Sequence, residues 1–426
     1  MNILFLTQVL PYPLDAGPKV RAYHVLRWLA ERARVHLVSF VRADDPPGAV
    51  EHLRSLCAGL DTIEMTRSRA KDAAHLAQSL ATDTSFVIAR DNLPAMRACL
   101  ANLVRAHRFD AVHADQLWMA QFARDLPIPF KVLDDHNAVY RIFERLAVHE
   151  PSRLRRALFR REARQIARYE LAQLAAFDRT LFVTEADRRA MRTLASNGDW
   201  RLLDTRTCVL PICVDVDAVR QIRMRPDAHR ITVLGTMYWP PNAEGVLWFA
   251  EQVLPRVLRE VPDAVLTVIG KQPPAAVRRL ADRFGASVEV TGYVADPLPY
   301  LAETAAFAVP LLSGGGMRVK ILDAWAWGLP VLSTAIGAEG IDVRPGEDAL
   351  IADTPGGLAE AARLLLTRPA LRQRIGASGR AAVAERYDVR RVYAALSEVY
   401  QTVLPGERGH LARPTAVCII HTDEQC

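Results

Sequence analysis

No apolar run in this 426-residue chain is long enough to cross a bilayer as a helix, which excludes a helical membrane span. The opening, Met1-Asn2-Ile3-Leu4-Phe5-Leu6-Thr7-Gln8, lacks the basic start and the length of a secretory leader and reads as a first strand. Cysteine is scarce and scattered. Cys57, Cys99, Cys208, Cys213, Cys418 and Cys426 form no CxxC pair and no metal-like spacing, so free thiols in a reducing cytoplasm are expected. No GxGxxG with a following acid stands after the first strand, which argues against a nicotinamide dehydrogenase.

What is present suits a globular protein: 50% of residues are apolar and 24% charged, and the length allows two ordinary domains. The formal charge of +6 favours an anionic partner without choosing one.

The most informative stretch is Ser313-Gly314-Gly315-Gly316-Met317-Arg318-Val319-Lys320-Ile321-Leu322-Asp323-Ala324. The apolar run Ala305 to Leu312 before it reads as a buried parallel strand. A helix is predicted over Val319 to Trp327, stopped by Gly328 and Pro330, and a strand over Val331 to Thr334. In this βαβ unit the glycines let the backbone approach a ligand and leave N–H groups at a helix start, where an anion is favoured. Arg318 and Lys320 add cations, so the segment reads as a phosphate cradle.

This segment, continued through Thr334 and Gly337-Ala338-Glu339-Gly340, resembles the C-terminal core of glycosyltransferase family 4 (group 1) enzymes of the bacterial exopolysaccharide and cell-envelope type. Ile231 to Gly270, the chain opening and the phrase FDAVHADQLWMAQFA resemble the same family. The resemblance implies an α/β protein of two Rossmann-like domains (GT-B) facing each other across a cleft, with a C-terminal helix crossing back to the first. The expected boundaries are 1–210 for an acceptor-side domain, 211–230 for a hinge, 231–385 for a nucleotide-sugar domain, 386–404 for the crossover helix and 405–426 for a loosely ordered tail.

It further implies a retaining, metal-independent hexosyltransferase. Such an enzyme uses a nucleoside-diphosphate sugar as substrate, needs no cofactor, and acts on a glycan or lipid-linked acceptor rather than nucleic acid. Residue by residue, Gly314, Gly315, Gly316 and Met317 would cradle the diphosphate, with Arg318 and Lys320 neutralising it. Asp323 would hold ribose, and His136 would orient the sugar. Gly235, Thr236 and Lys271 end the first two strands of the second domain, and Tyr293 with Val294 stands where this fold commonly receives a base. Two departures stand out. Gly315 replaces the first acid of the family's Glu-x7-Glu pair, and Gly17, followed by Pro18, is what remains of paired glycines near sugar and acceptor.

Other features admit more than one reading. Asp134-Asp135-His136 ends a strand, where ligands bind in parallel sheets. Adjacent carboxylates on a strand point to opposite faces, which argues against one shared metal ion. Asp215-Val216-Asp217 matches a metal-binding DxD but falls at the domain junction, where it reads as fortuitous. Asn242 is expected to cap the helix carrying Val246, Phe249 and Val253. Residues 50–105 read as helical, with breaks near Asp61–Glu64 and at Pro94. Between Pro151 and Glu170 stand seven arginines and two glutamates, a pattern fitting either an anionic membrane surface at the inner face of the plasma membrane or a solvated helix face with i,i+4 pairs. The rival functions are a sugar-nucleotide epimerase of the same architecture and a non-catalytic nucleotide-sugar binder.

Overall fold

The computed structural model describes residues 1–195, 203–225 and 227–401. The expected tail at 405–426, with Cys418 and Cys426, lies outside them, whereas Cys57, Cys99, Cys208 and Cys213 are free thiols. No helix among the described residues is long and apolar enough to cross a membrane. The chain divides into two compact units. One comprises Met1–Ile212 and the chain from Val392 onward, the other Cys213–Arg391.

The first unit is built on β1 (Asn2–Thr7), β2 (Arg34–Val41), β3 (Gly59–Glu64), β4 (Ala111–Asp115), β5 (Phe130–Asp135), β6 (Arg179–Phe182) and β7 (Thr207–Val209). All pair in parallel, in the order β3-β2-β1-β4-β5-β6-β7. The central strands read as continuous apolar runs because helices cover both faces, and β4 is buried from end to end. The break expected near Asp61–Glu64 is in fact strand β3. As an edge strand it is half-exposed, and its polar GLDTIE sequence hid it. The first helix spans Gly17–Ala30, with Pro18 in its first turn, where a missing N–H costs nothing.

The second unit repeats the scheme with β8 (Arg230–Leu234), β9 (Val265–Ile269), β10 (Val288–Gly292), β11 (Thr304–Val309), β12 (Val331–Ser333) and β13 (Ala349–Ile351), all parallel in the order β10-β9-β8-β11-β12-β13. β11 stops at Val309 instead of running to Leu312, because Pro310 has no N–H for the ladder. The helix Val319–Trp327 ends on Gly328 in the left-handed region, φ 78°, as its sequence predicts. In each sheet the strand order reverses beside the first strand, at β1/β4 and at β8/β11. Such switch points open a crevice at the carboxyl ends of parallel strands.

Val214 pairs with Asp388, and the Ile222 amide donates to the Trp327 carbonyl at 2.8 Å, so the chain entering the second unit is bonded into it. At the other end the helix Val389–Tyr400 returns the chain to the first unit. There Tyr393 Oη donates to the His24 carbonyl at 2.8 Å, and Tyr400 Oη meets His113 Nδ1 at 2.8 Å.

Candidate functional site

In the second unit the two loops flanking the β8/β11 switch point carry most of the residues predicted from sequence. After β11, Gly314 and Gly316 take φ of 122° and 78°, a region hostile to a side chain. The amides of Gly315 and Gly316 donate no hydrogen bond among the described residues and are left to meet an acceptor. After β8 the chain turns at Gly235 and Thr236. A Cβ on Gly235 would stand 2.8 Å from Lys320 Nζ, so only glycine lets that ammonium group come so close.

Asn242 does not cap its helix. The helix Pro240–Trp248 begins two residues earlier, with Trp239 at the cap and prolines filling the first turn. The Asn242 side chain is thereby freed to fasten the site. Its Nδ2 donates to the Thr236 carbonyl at 2.9 Å, and its Oδ1 accepts from Lys320 Nζ at 2.9 Å. The sequence offered no sign of this second partner, which lies 78 residues away.

The two cations read from sequence differ in character. Arg318, 9% exposed, turns back on the loop, donating to the carbonyls of Gly315, Gly316 and Ile336. It braces the turn. Lys320 is half-buried, and burial together with the neighbouring Arg318 lowers its pKa to about 8. Asp323 is pushed up to about 7 by burial, against the pull of Lys320. The surface Lys320–Asp323 ion pair that helical spacing allows is therefore not what forms. Both groups instead titrate near neutrality, as groups in binding clefts often do. Lys271 lies over the ring of Tyr293, 5.1 Å from its centroid, with Tyr293 65% exposed and Val294 half-buried beside it. Met317 packs into the core beneath the turn.

In the first unit a buried polar network occupies the carboxyl ends of β4 and β5. Asp115 and Asp134 are register partners on adjacent strands, with His113 two residues before Asp115 on the same face. Arg21 holds Asp134 Oδ1 at 2.6 Å, His113 Nε2 lies 3.5 Å from Asp134 Oδ2, and His136 Nε2 lies 2.9 Å from Asp115 Oδ1. Burial pushes the Asp134 carboxyl up, but Arg21, His113 and His136 together hold it below the ordinary range. Asp135 points to the opposite face, as strand alternation requires. There burial, Asp187 and Asp134 raise it well above the ordinary range.

Asp134 and His136 thus share one face and Asp135 takes the other. A different trio, His113, Asp115 and Asp134, brings one ligand atom each within 4.8 Å of the others. Sequence reading missed it because its members are joined only by strand register. Arg21 already balances Asp134, which leaves little net charge to draw a cation. In the DxD motif Asp215 Oδ1 accepts from the Ala218 amide and Asp217 pairs with Arg390 at 2.9 Å on the surface. Gly17 lies at a helix start and is joined to neither cluster by any hydrogen bond among the described residues.

Residues 228–368 match the family model described as glycosyl transferases group 1. An uncharacterized 44.6 kDa protein in the cps region of Klebsiella pneumoniae is 31% identical over 135 residues, 30% of this chain and 35% of that one. The phosphatidyl-myo-inositol mannosyltransferase of Mycobacterium tuberculosis is 28% identical over 228 residues, 51% of this chain and 59% of that one. The chain thus spans about a third to three-fifths of these relatives' lengths.

Among solved structures, sucrose-phosphate synthase from Thermosynechococcus elongatus matches with a TM-score of 0.68 at 17% identity, covering 95% of this chain and 99% of that one. Anabaena HepE in complex with UDP matches with a TM-score of 0.65 at 14% identity, covering 95% and 100%. The fold is the two-sheet α/β fold of GT-B glycosyltransferases, and the family resemblance carried by the glycine turn holds.

Proposed function

We propose that the chain is a retaining glycosyltransferase that moves a hexosyl group from a nucleoside-diphosphate sugar to a glycan or lipid-linked acceptor in polysaccharide or cell-envelope biosynthesis. The observation that carries this reading is Lys320, held by Asn242 against Gly235 at the β8/β11 switch point, beside a turn with unbonded glycine amides. As the bond from sugar to diphosphate breaks, negative charge grows on the departing phosphate. Fixed N–H donors and a nearby ammonium lower the energy of that charge with little rearrangement.

In this reading Gly314, Gly315 and Gly316 supply backbone donors, Lys320 supplies the charge and Arg318 keeps the turn in shape, with no metal required. Asp323 accepts from ribose hydroxyls, and Tyr293 and Val294 receive the base. His136 keeps the sugar-orienting role that the resemblance implies, with Nε2 fixed by Asp115 and Nδ1 left for a ligand. The UDP named in the HepE complex supports a nucleotide donor, and the lipid in the mannosyltransferase's name supports a lipid-linked acceptor.

The test is thermal stability against UDP, GDP, ADP, CMP and NAD. A ligand at 100 times its dissociation constant adds about 2.7 kcal/mol of stability. A shift with a nucleoside diphosphate supports the reading and names the base. A shift with NAD alone sinks it.

A further inference from the structure

At the carboxyl ends of β1, β2 and β3, in the first unit, three arginines gather around one carboxylate. Gln8 follows β1, Arg42 follows β2, and Met65 and Arg67 follow β3. Asp91 closes the short helix Phe86–Arg90 and is buried. Its Oδ1 pairs with Arg67 Nη1 at 2.7 Å and Arg90 Nε at 3.1 Å, and its Oδ2 accepts from Gln8 Nε2 at 2.8 Å. Arg42 Nη1 donates to the Gln8 carbonyl at 3.2 Å, which draws the third guanidinium into the same group.

The donors outnumber the acceptors here. Asp45 accepts from the Arg42 main-chain amide at 2.8 Å and pairs with none of the three guanidiniums among the described residues. Two of the guanidinium nitrogens settle on sulfur. Arg42 Nη2 stands 3.4 Å and Arg67 Nη2 3.6 Å from Met65 Sδ, a weak acceptor. The Nη atoms of Arg90 donate to nothing among the described residues, and its guanidinium lies over the Phe86 ring. Like charges held together repel one another, and one arginine would be enough to neutralise Asp91. The side chains of Arg67 and Arg90 are 38% and 27% exposed, so an anion can reach them.

We infer that Arg42, Arg67 and Arg90 bind an oxyanion, a phosphate or carboxylate substituent carried by the acceptor. The planar fork of a guanidinium matches either group through paired hydrogen bonds. The cluster stands at strand ends beside the β1/β4 switch point, where parallel sheets hold ligands, and in the unit that does not carry Lys320. Reading the anion as part of the acceptor rests on the proposed transfer; the oxyanion site itself does not.

The experiment is calorimetric titration of the full chain with inorganic phosphate, glucuronate and glucose at constant ionic strength. It is run in Lys320→Met, which removes the donor-side ammonium and keeps the bulk of its stem. This chain should bind phosphate, glucuronate or both, and bind glucose far more weakly; the oxyanion it takes names the substituent. R67Q/R90Q, added to that background, should lower the affinity by at least about tenfold. Since that change leaves the buried Asp91 short of partners, Arg42→Gln serves as a second variant. It touches no carboxylate and should weaken binding in the same direction. Asp91→Asn, which removes the competing acceptor charge, should strengthen it. No binding of either oxyanion, binding that vanishes in Lys320→Met alone, or equal affinity in both arginine variants would each overturn the inference. A nucleoside-diphosphate shift in the parent without oxyanion binding in Lys320→Met would sink this site and leave the proposed function standing. Oxyanion binding without any nucleoside-diphosphate shift would do the reverse.

Discussion

Lys320 Nζ donates to Asn242 Oδ1 at 2.9 Å, and this one bond ties the helix after the glycine turn to the helix after β8. A lysine chain has several rotatable bonds and, untethered, would sample many positions around a bound phosphate. The bond removes that freedom before any ligand arrives.

Asn242→Ala should therefore weaken nucleoside-diphosphate binding while Lys320 itself is intact. Hydrogen bonds to charged groups are worth about 1.5–3 kcal/mol, so a loss of roughly tenfold or more in affinity is expected by calorimetry. The corresponding nucleoside, which has no phosphate, should bind both proteins alike. An equal loss for the nucleoside would mean that Asn242 shapes the pocket and does not steer the lysine.

The titration of Lys320 and Asp323 gives a second prediction. Lys320, lowered to about 8, is a cation below that pH and loses its charge above it, so diphosphate affinity should fall as pH rises from 7 to 9. Asp323 works on stability. Its folded-state value, raised to about 7, means that the folded chain binds a proton more tightly than the unfolded one, so its contribution falls as pH climbs from about 4 to about 7. Asp323→Asn removes this dependence. Its melting temperature relative to the parent should rise between pH 5 and pH 8, by about 2–4 °C for each kcal/mol. A flat difference across that range would show that Asp323 does not titrate there.

How far the sequence reached can be seen in the glycine turn. The helix at Val319–Trp327 and its Gly328 stop were legible because apolar spacing and a positive-φ glycine are local signals. The Asn242–Lys320 bond was not, because it joins residues brought together only by strand order. The same holds for Asp115, which only strand register sets beside Asp134. The polar edge strand β3 was lost for another reason, since its half-exposed pattern lacks the apolar run that marks a central strand. Arg318 was legible as a cation at the right place, but its bonds to the turn's own carbonyls were not.

His136 yields the third prediction. Its Nε2 is engaged by Asp115 at 2.9 Å, so substitution of the ring leaves the Lys320 cradle in the other unit untouched. His136→Ala should keep nucleoside-diphosphate affinity within about twofold while transfer falls by about 100-fold, the scale of losing one donor to developing charge. Asp115→Asn should lower transfer by less, since the ring stays and only its orientation loosens. Full turnover in His136→Ala would remove this residue from the site.

The buried Arg21–Asp134 pair gives the last. Arg21 Nε and Nη2 approach Asp134 Oδ1 at 2.7 and 2.6 Å, and its Nη1 donates to the Leu210 carbonyl, with both side chains almost wholly out of solvent. Arg21→Met strands a carboxylate in the core, which costs about 3–5 kcal/mol and should lower the melting temperature by on the order of 10 °C. The sign with pH can be worked out. In the parent Asp134 is held below its ordinary value, so its contribution is full at neutral pH and is lost only as the pH falls through that lowered value. Without Arg21, burial dominates and raises the carboxyl, so the variant regains stability as acid protonates it. The deficit against the parent should therefore shrink between pH 7 and pH 5. Adding Asp134→Asn should recover part of the loss at pH 7, because no buried charge is then left unpaired. If the deficit is the same at both pH values and the double variant recovers nothing, Arg21 acts through packing and its bond to Leu210, and the ion pair contributes no net stability.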